Sequence, residues 1–379
     1  MHVGLNLIYL VPGETGGTET YARELVAALV AHHPQLRMTA FINRESAADA
    51  SSPWPGLVPT VTVPVDARRR SEWVRGEQQL LPGLASRAGV DVLHSLANTT
   101  PLRGPQRRVV TIQDVIFRIY PETHTRARAL ALRLLVPLGA RRAHRIIASS
   151  GSTRDDLVSF FGVSASKIDV VPLGLGARTV EPTAEGELRE RLGLGSRAVA
   201  LTVSAKRPHK NLLRLLEGLA LIPAERRPLL ILPGYPTDHE AELRARSDSL
   251  GLAGDTRFLG WVADEDMEGL YALAACFVFP SLYEGFGLPV LEAMARGVPV
   301  ATSDRGSLAE VAGDAALLFD PEDPRSIAAA IERLLGDEPE RARLRRLGTA
   351  QAARFTWQAT AAGTVTTYRT ALRGARSLS

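Results

Sequence analysis

Short apolar runs alternate with helix-like stretches along almost the whole chain, and this alternation restricts the fold more than any other feature. Strand-like runs lie near residues 2–10, 38–42, 60–64, 90–94, 109–113, 146–148 and 169–171, and again near 199–203, 229–232, 257–259, 277–279, 298–301 and 317–319. Such alternation predicts parallel sheets with helices on both faces. Between the two series, residues 177–186 break every apolar periodicity with Thr, Pro and Gly, as a domain boundary does. A chain of 379 residues is also long for one core. The expectation is α/β with two doubly wound, Rossmann-like domains at 1–177 and 191–355, a linker at 178–190 and a last helix within 356–379.

Composition narrows the class. There is no apolar run of membrane-spanning length and no basic-then-apolar leader, so the expected location is cytoplasmic. The single cysteine, Cys276, sits in an apolar strand and reads as a small core residue, not part of a disulfide framework or metal cluster. The pI near 9.4 comes without a nucleic-acid motif and with basic residues scattered through helical segments, so no nucleic-acid partner is expected. The 45 basic residues are 42 Arg and only three Lys, and two of these, Lys206 and Lys210, lie close together.

The most chemically suggestive stretch is 280–297, PSLYEGFGLPVLEAMARG. An apolar strand ends in a glycine-bearing loop, and Pro289 suits a helix's first turn because its missing N–H is one that a helix start leaves unbonded. Backbone N–H groups and the positive dipole end make such a start an anion site, and Gly285 and Gly287 allow close approach. Glu284 and Glu292 flank it, with seven residues between them. Carboxylates repel phosphate, so they are better suited to accept hydrogen bonds from hydroxyls of the same ligand. Phosphate with hydroxyls suggests a sugar nucleotide.

The wording from Glu284 through Val300 closely resembles the double-glutamate signature of glycosyltransferase family 4, retaining enzymes of the GT-B fold, and the resemblance extends over nearly the whole chain. It implies that two domains face across a cleft, with acceptor mainly on the first and donor nucleotide on the second. Glu284 would hold the donor sugar and Glu292 the ribose, while Gly285, Phe286, Gly287 and Leu288 lie along the sugar and diphosphate. Gly16 and Gly17, at the head of the first long helix, resemble the loop that faces donor phosphates and acceptor. Gln113 and Asp114 match a turn in which many members carry His and Asp; glutamine can hydrogen-bond a sugar hydroxyl but cannot become cationic. The loop 204–211 takes the place of an Arg and a Lys five positions apart. Lys210 fits the Lys, but the Arg position is Ala205, so Lys206 or Arg207 must supply that charge. Ser204 opens this loop, and Val262 stands where the family meets the nucleotide base. The last helix would return to the first domain.

Other candidates have simpler readings. His94, at a strand end, is expected to be structural. Asp264, Glu265 and Asp266 open a helix and are read as capping and dipole complement, not as metal ligands. Ser307 and Glu310 have capping-box spacing. Residues 125–145 hold Arg126, Arg128, Arg133, Arg141, Arg142 and Arg145 among leucines. This pattern gives either a basic amphipathic surface for an anionic acceptor or peripheral contact with a membrane's inner face, or a solvated helix side in an arginine-rich protein; the last is the expectation.

The expected activity is retaining transfer of a hexosyl group from a nucleoside-diphosphate sugar to a hydroxyl of a glycan, lipid-linked or small-molecule acceptor. Neither a metal nor a resident cofactor is expected, and the sequence sets no oligomeric state. A nucleotide-sugar-binding protein without turnover is the alternative that Gln113 and Ala205 favour. A Rossmann dehydrogenase fits less well, because no G-x-G-x-x-G follows the first strand.

Overall fold

The computed structural model describes residues 1–14, 16–123, 125–176 and 180–376, without the side chains of 126–128 and 374–376. It divides into two compact units, Met1–Gly176 with Phe355–Ser379, and Ala177–Arg354.

The first unit holds β1 (His2–Asn6), β2 (Arg37–Ile42), β3 (Thr60–Thr62), β4 (Val92–Ser95), β5 (Arg107–Ile112), β6 (Arg145–Ala148) and β7 (Ile168–Val170). They form one parallel sheet in the order β3-β2-β1-β4-β5-β6-β7. The central strands β1 and β4, covered on both faces, bury every residue, whereas the edge strand β3 (Thr-Val-Thr) stays partly exposed. The strand order reverses between β1 and β4, and the crevice outside the strand ends there is where open α/β sheets take ligands. β1 stops at Asn6 and does not reach Leu10. The Asn6 carboxamide accepts from the Ile8 N–H at 3.3 Å, and Leu10 N–H bonds to the Leu7 carbonyl, so Leu7, Ile8 and Leu10 are buried in a turn.

The Trp357–Arg376 helix belongs to this unit and packs on the Gly17–His32 helix and on β4, β5 and β6. Gly174 permits its close approach, since a Cβ there would lie 2.3 Å from the Trp357 nitrogen. His94 fastens it: Nδ1 meets Tyr368 Oη at 2.7 Å, Nε2 meets Thr111 Oγ1 at 2.8 Å, and Tyr21 Oη reaches the same threonine at 3.0 Å. Burial lowers the imidazole pKa to about 3, so His94 is a neutral structural group.

The second unit repeats the strand order with β8 (Val199–Leu201), β9 (Leu229–Leu232), β10 (Thr256–Phe258), β11 (Cys276–Phe279), β12 (Val300–Ser303) and β13 (Ala316–Phe319). All neighbours are parallel in the order β10-β9-β8-β11-β12-β13, which places the reversal between β8 and β11. β12 begins at Val300 because Pro299 has no N–H to give the ladder. The Leu212–Leu221 and Pro324–Gly336 helices pack Leu212, Leu215, Leu216 and Leu219 with Ile327, Ile331 and Leu334. Cys276 is fully buried there, its thiol pushed up to about 12 by burial. No helix among the described residues is long and apolar enough to cross a membrane.

Candidate active site

In the second unit, two loops leave the sheet at the reversal point: residues 202–211 after β8 and 280–287 after β11. They are laced together. The His209 carbonyl accepts from Leu282 N–H at 2.9 Å and from Ser281 Oγ at 3.1 Å. Asn211, left-handed at φ 59°, donates its carboxamide to the carbonyls of Pro280 (3.1 Å) and Pro321 (2.7 Å). Gly287, at φ 116°, precedes the Leu288–Ala295 helix, and a Cβ there would come within 2.8 Å of Leu308. Gly285 and Phe286 lie in the same loop, and Leu288 and Pro289 open the helix, whose positive dipole end faces the loop.

Lys210 and Glu284 meet across these loops, Nζ to Oε1 at 2.5 Å, with only 16% and 14% of their side chains exposed. The ammonium also lies 5.3 Å from the Phe279 ring centre, over its face. The Ser307 hydroxyl donates to the Glu284 carbonyl at 2.7 Å. This corrects the capping-box reading: the cap position is Gly306, the helix starts at Ser307, and that side chain braces the Glu284 loop.

The neighbouring cations differ. Lys206 is fully buried, and its ammonium donates to the carbonyls of Gly234 and Leu259, both at 2.5 Å. Burial draws its pKa down to about 8. Lys206 therefore clasps the ends of β9 and β10 to the β8 loop, which corrects its reading as a diphosphate cation. Arg207 is exposed and remains the candidate for the charge that Ala205 lacks. The Ser204 N–H bonds to the Pro233 carbonyl at 3.2 Å, and its hydroxyl is buried with no partner among the described residues. Val262 is half-buried beyond β10, next to Trp261, which is 73% exposed with its ring 5.1 Å from that of Tyr235.

Glu292 occupies a separate network. It accepts from Tyr271 Oη at 3.2 Å, and burial holds its carboxyl above the usual range. One turn on, Arg296 donates to the Glu292 carbonyl at 3.0 Å, stacks 4.6 Å from the Tyr271 ring centre and pairs with Glu268. Sequence reasoning missed Tyr271, Arg296 and Glu268; the one signal was the four-residue spacing of Glu292 and Arg296 on a helix. Asp264, Glu265 and Asp266 do lie in a helix's first turn, but the cap is Ala263, without a side-chain bond. Asp266 instead accepts from Thr183 Oγ1 at 2.7 Å and pairs with Arg191 at 2.5 Å, which holds its carboxyl low.

The remaining candidates belong to the first unit. Gly16, at φ 58°, is the cap of the Gly17–His32 helix; both glycines are exposed, and a Cβ would meet nothing at either. Gln113 and Asp114 follow β5. The Gln113 carbonyl accepts from Ser149 Oγ (2.7 Å) and Thr153 Oγ1 (3.1 Å), while its Nε2 is buried with no partner among the described residues. Asp114 accepts from Ile116 N–H at 3.0 Å and so starts the Ile116–Ile119 turn. A further buried acid is Glu77, carried on a single π-helical turn, Gly76–Leu80, and held by Asn6 Nδ2 (3.1 Å), Thr99 Oγ1 (2.9 Å) and Gln78 Nε2 (2.9 Å). Burial without a cation raises its pKa to about 7.

Comparison with known proteins agrees with this geometry. Residues 185–351 match the family model of glycosyl transferases group 1, and residues 15–176 that of Glycosyltransferase Family 4. The chain is 35% identical over 269 residues to the O-antigen chain mannosyltransferase B of Escherichia coli, covering 70% of each chain. It is 35% identical over 242 residues to the MMP alpha-(1→4)-mannosyltransferase of Mycolicibacterium hassiacum, covering 62% of this chain and 56% of that protein. Among solved structures it matches Anabaena HepE, determined with UDP and glucose, at TM-score 0.74, 20% identity and coverage of 97% and 99%. Two Rossmann-like units, a laced β8–β11 loop pair and these matches place the chain in glycosyltransferase family 4, among the glycosyltransferases of the GT-B fold.

Proposed function

We propose that the chain transfers a hexosyl group, mannose being the first to test, from a nucleoside-diphosphate sugar to a hydroxyl acceptor with retained anomeric configuration. The observation that carries this reading is the Lys210–Glu284 pair at the strand-order reversal, beside a helix start. The ammonium and the helix dipole suit a diphosphate, and the Glu284 carboxylate suits the hydroxyls of the attached sugar. Glu292, on the same helix, supplies an acceptor for ribose hydroxyls. The names of the two mannosyltransferase relatives support the sugar, and HepE, determined with UDP and glucose, supports a nucleotide donor.

In the proposed step the bond from the sugar's anomeric carbon to the leaving phosphate oxygen breaks, and the acceptor oxygen attacks from the same face. The departing diphosphate takes the acceptor proton. The protein's part is positioning and stabilisation of charge on the leaving group, by Lys210, Arg207 and the helix start, so no resident cofactor or metal is called for. A panel of purine- and pyrimidine-nucleoside diphosphate sugars, scored by release of nucleoside diphosphate with and without oligosaccharide acceptors, tests this. Acceptor-dependent release from at least one donor is expected; binding without release would favour a sugar-nucleotide-binding protein.

A further inference from the structure

Apart from Met1, every exposed large apolar side chain described in the first unit lies on the Arg126–Arg142 helix or on the Gly151–Phe161 helix packed against it. Leu130 and Leu134 are 72% and 62% exposed, one helical turn apart on one face. The opposite side is spent on the core, with Ala129, Val136 and Ala140 buried. A surface helix normally turns its apolar stripe inward and shows charge outward; this one also carries large apolar side chains on its outer side. Its charge is one-signed, because residues 126–142 contain five Arg and neither Asp nor Glu. The side chains of Arg126 and Arg128 lie outside the described residues, but Arg133 sits beside the leucines on the exposed side. Among the described residues no carboxylate pairs with Arg133, Arg141 or Arg142. Val158 and Phe160, 38% and 43% exposed, add apolar surface on the Gly151–Phe161 helix, although Asp155 and Asp156 there keep the basic character on its neighbour.

From this we infer that the outer face of the Arg126–Arg142 helix docks on an anionic lipid bilayer. Leu130 and Leu134 enter the boundary between headgroups and acyl chains, and the arginines lie among lipid phosphates. Exposed apolar side chains beside basic ones are the pattern of a helix that rests in the membrane plane, and an arginine stem reaches up to headgroups while its apolar neighbours insert. The solvated reading of residues 125–145 accounts for the arginines but not for two leucines exposed one turn apart. This inference does not depend on which sugar is moved or whether transfer occurs.

Co-sedimentation of the full chain with vesicles decides it. Wild type should pellet with vesicles of phosphatidylglycerol and phosphatidylcholine and stay in solution with phosphatidylcholine alone. The Leu130→Ser/Leu134→Ser double variant should lose about a hundredfold in partitioning, since each leucine withdraws apolar surface worth about a factor of ten. Arg133→Ala should weaken it about fivefold, the effect of one cation near an anionic surface. Because Leu130, Leu134 and Arg133 are exposed, all variants should melt as wild type does. Failure of wild type to pellet with the anionic vesicles, or equal pelleting of the double variant, overturns the inference. So does a lower molar mass of the double variant in light scattering, which would make the face a contact between copies of this chain.

Discussion

Lys206 and Lys210 are four residues apart and have opposite fates, and the difference lies entirely in what each ammonium meets. Lys210 reaches a carboxylate at the β8–β11 edge; Lys206 is turned into the protein onto the Gly234 and Leu259 carbonyls, 28 and 53 residues away in sequence. Nothing local distinguishes them, so a phosphate role for both was a fair reading of sequence alone and wrong for one. Kinetics and melting should separate them. Lys210→Ala should lower kcat/KM by about 2–4 kcal/mol of transition-state stabilisation. Lys206→Met keeps the apolar stem but leaves two buried carbonyls without a donor, and should cost about 1–3 kcal/mol of stability in denaturant melts. Arg207→Ala, on an exposed side chain, should lower kcat/KM with stability changed by less than about 0.5 kcal/mol. If Lys206→Met were as stable as wild type while losing activity as Lys210→Ala does, the clasp assignment would fail. The two glutamates divide similarly: Glu292→Ala should raise the KM for donor, whereas Glu284→Ala should act mainly on kcat, and wild-type kinetics in both would remove them from the site.

At the scale of elements, all thirteen strands among the described residues were legible, the central ones because a strand covered on both faces is largely apolar along its length. Their ends were not. Leu7, Ile8 and Leu10 are as apolar as β1 and yet form a buried turn, since only the Asn6 side chain and neighbouring backbone decide where the ladder stops. The Ser307 reading failed in the same way, because the choice between capping its own helix and bracing Glu284 depends on a loop 23 residues away. Glu77 was invisible for a related reason: an acid in a helical stretch reads as solvated, and its partners Asn6 and Thr99 are brought to it only by the sheet. Its pKa, raised from 4.5 to about 7, gives a test by proton linkage. Between those values the native state binds more protons than the unfolded chain, so stability is full below the lower value and declines as pH rises through the higher one. Glu77→Gln cannot titrate there. Between about pH 5 and about pH 8 the wild type should lose stability relative to Glu77→Gln in melting experiments. A constant difference across that range would mean that Glu77 is ionised throughout.

For the whole molecule, the two sheets share one strand order, and each reverses where its candidate residues stand: Gly16 and Gly17 beyond β1, and Lys210 and Glu284 beyond β8 and β11. The doubled α/β pattern and the double-glutamate wording made the family readable from sequence. Which charged side chains reach the site was not readable, because that is decided by packing between distant segments. Turnover in excess chelator should equal turnover without it, since the proposed charge stabilisation comes from Lys210, Arg207 and a helix start; a loss restored by a divalent cation would place a metal in the mechanism. The most direct test of the account follows the anomeric protons of donor and product by NMR during a single transfer reaction. With a donor whose sugar is α-linked, the account predicts an α-linked product accompanied by free nucleoside diphosphate. A β-linked product from the same donor would contradict it.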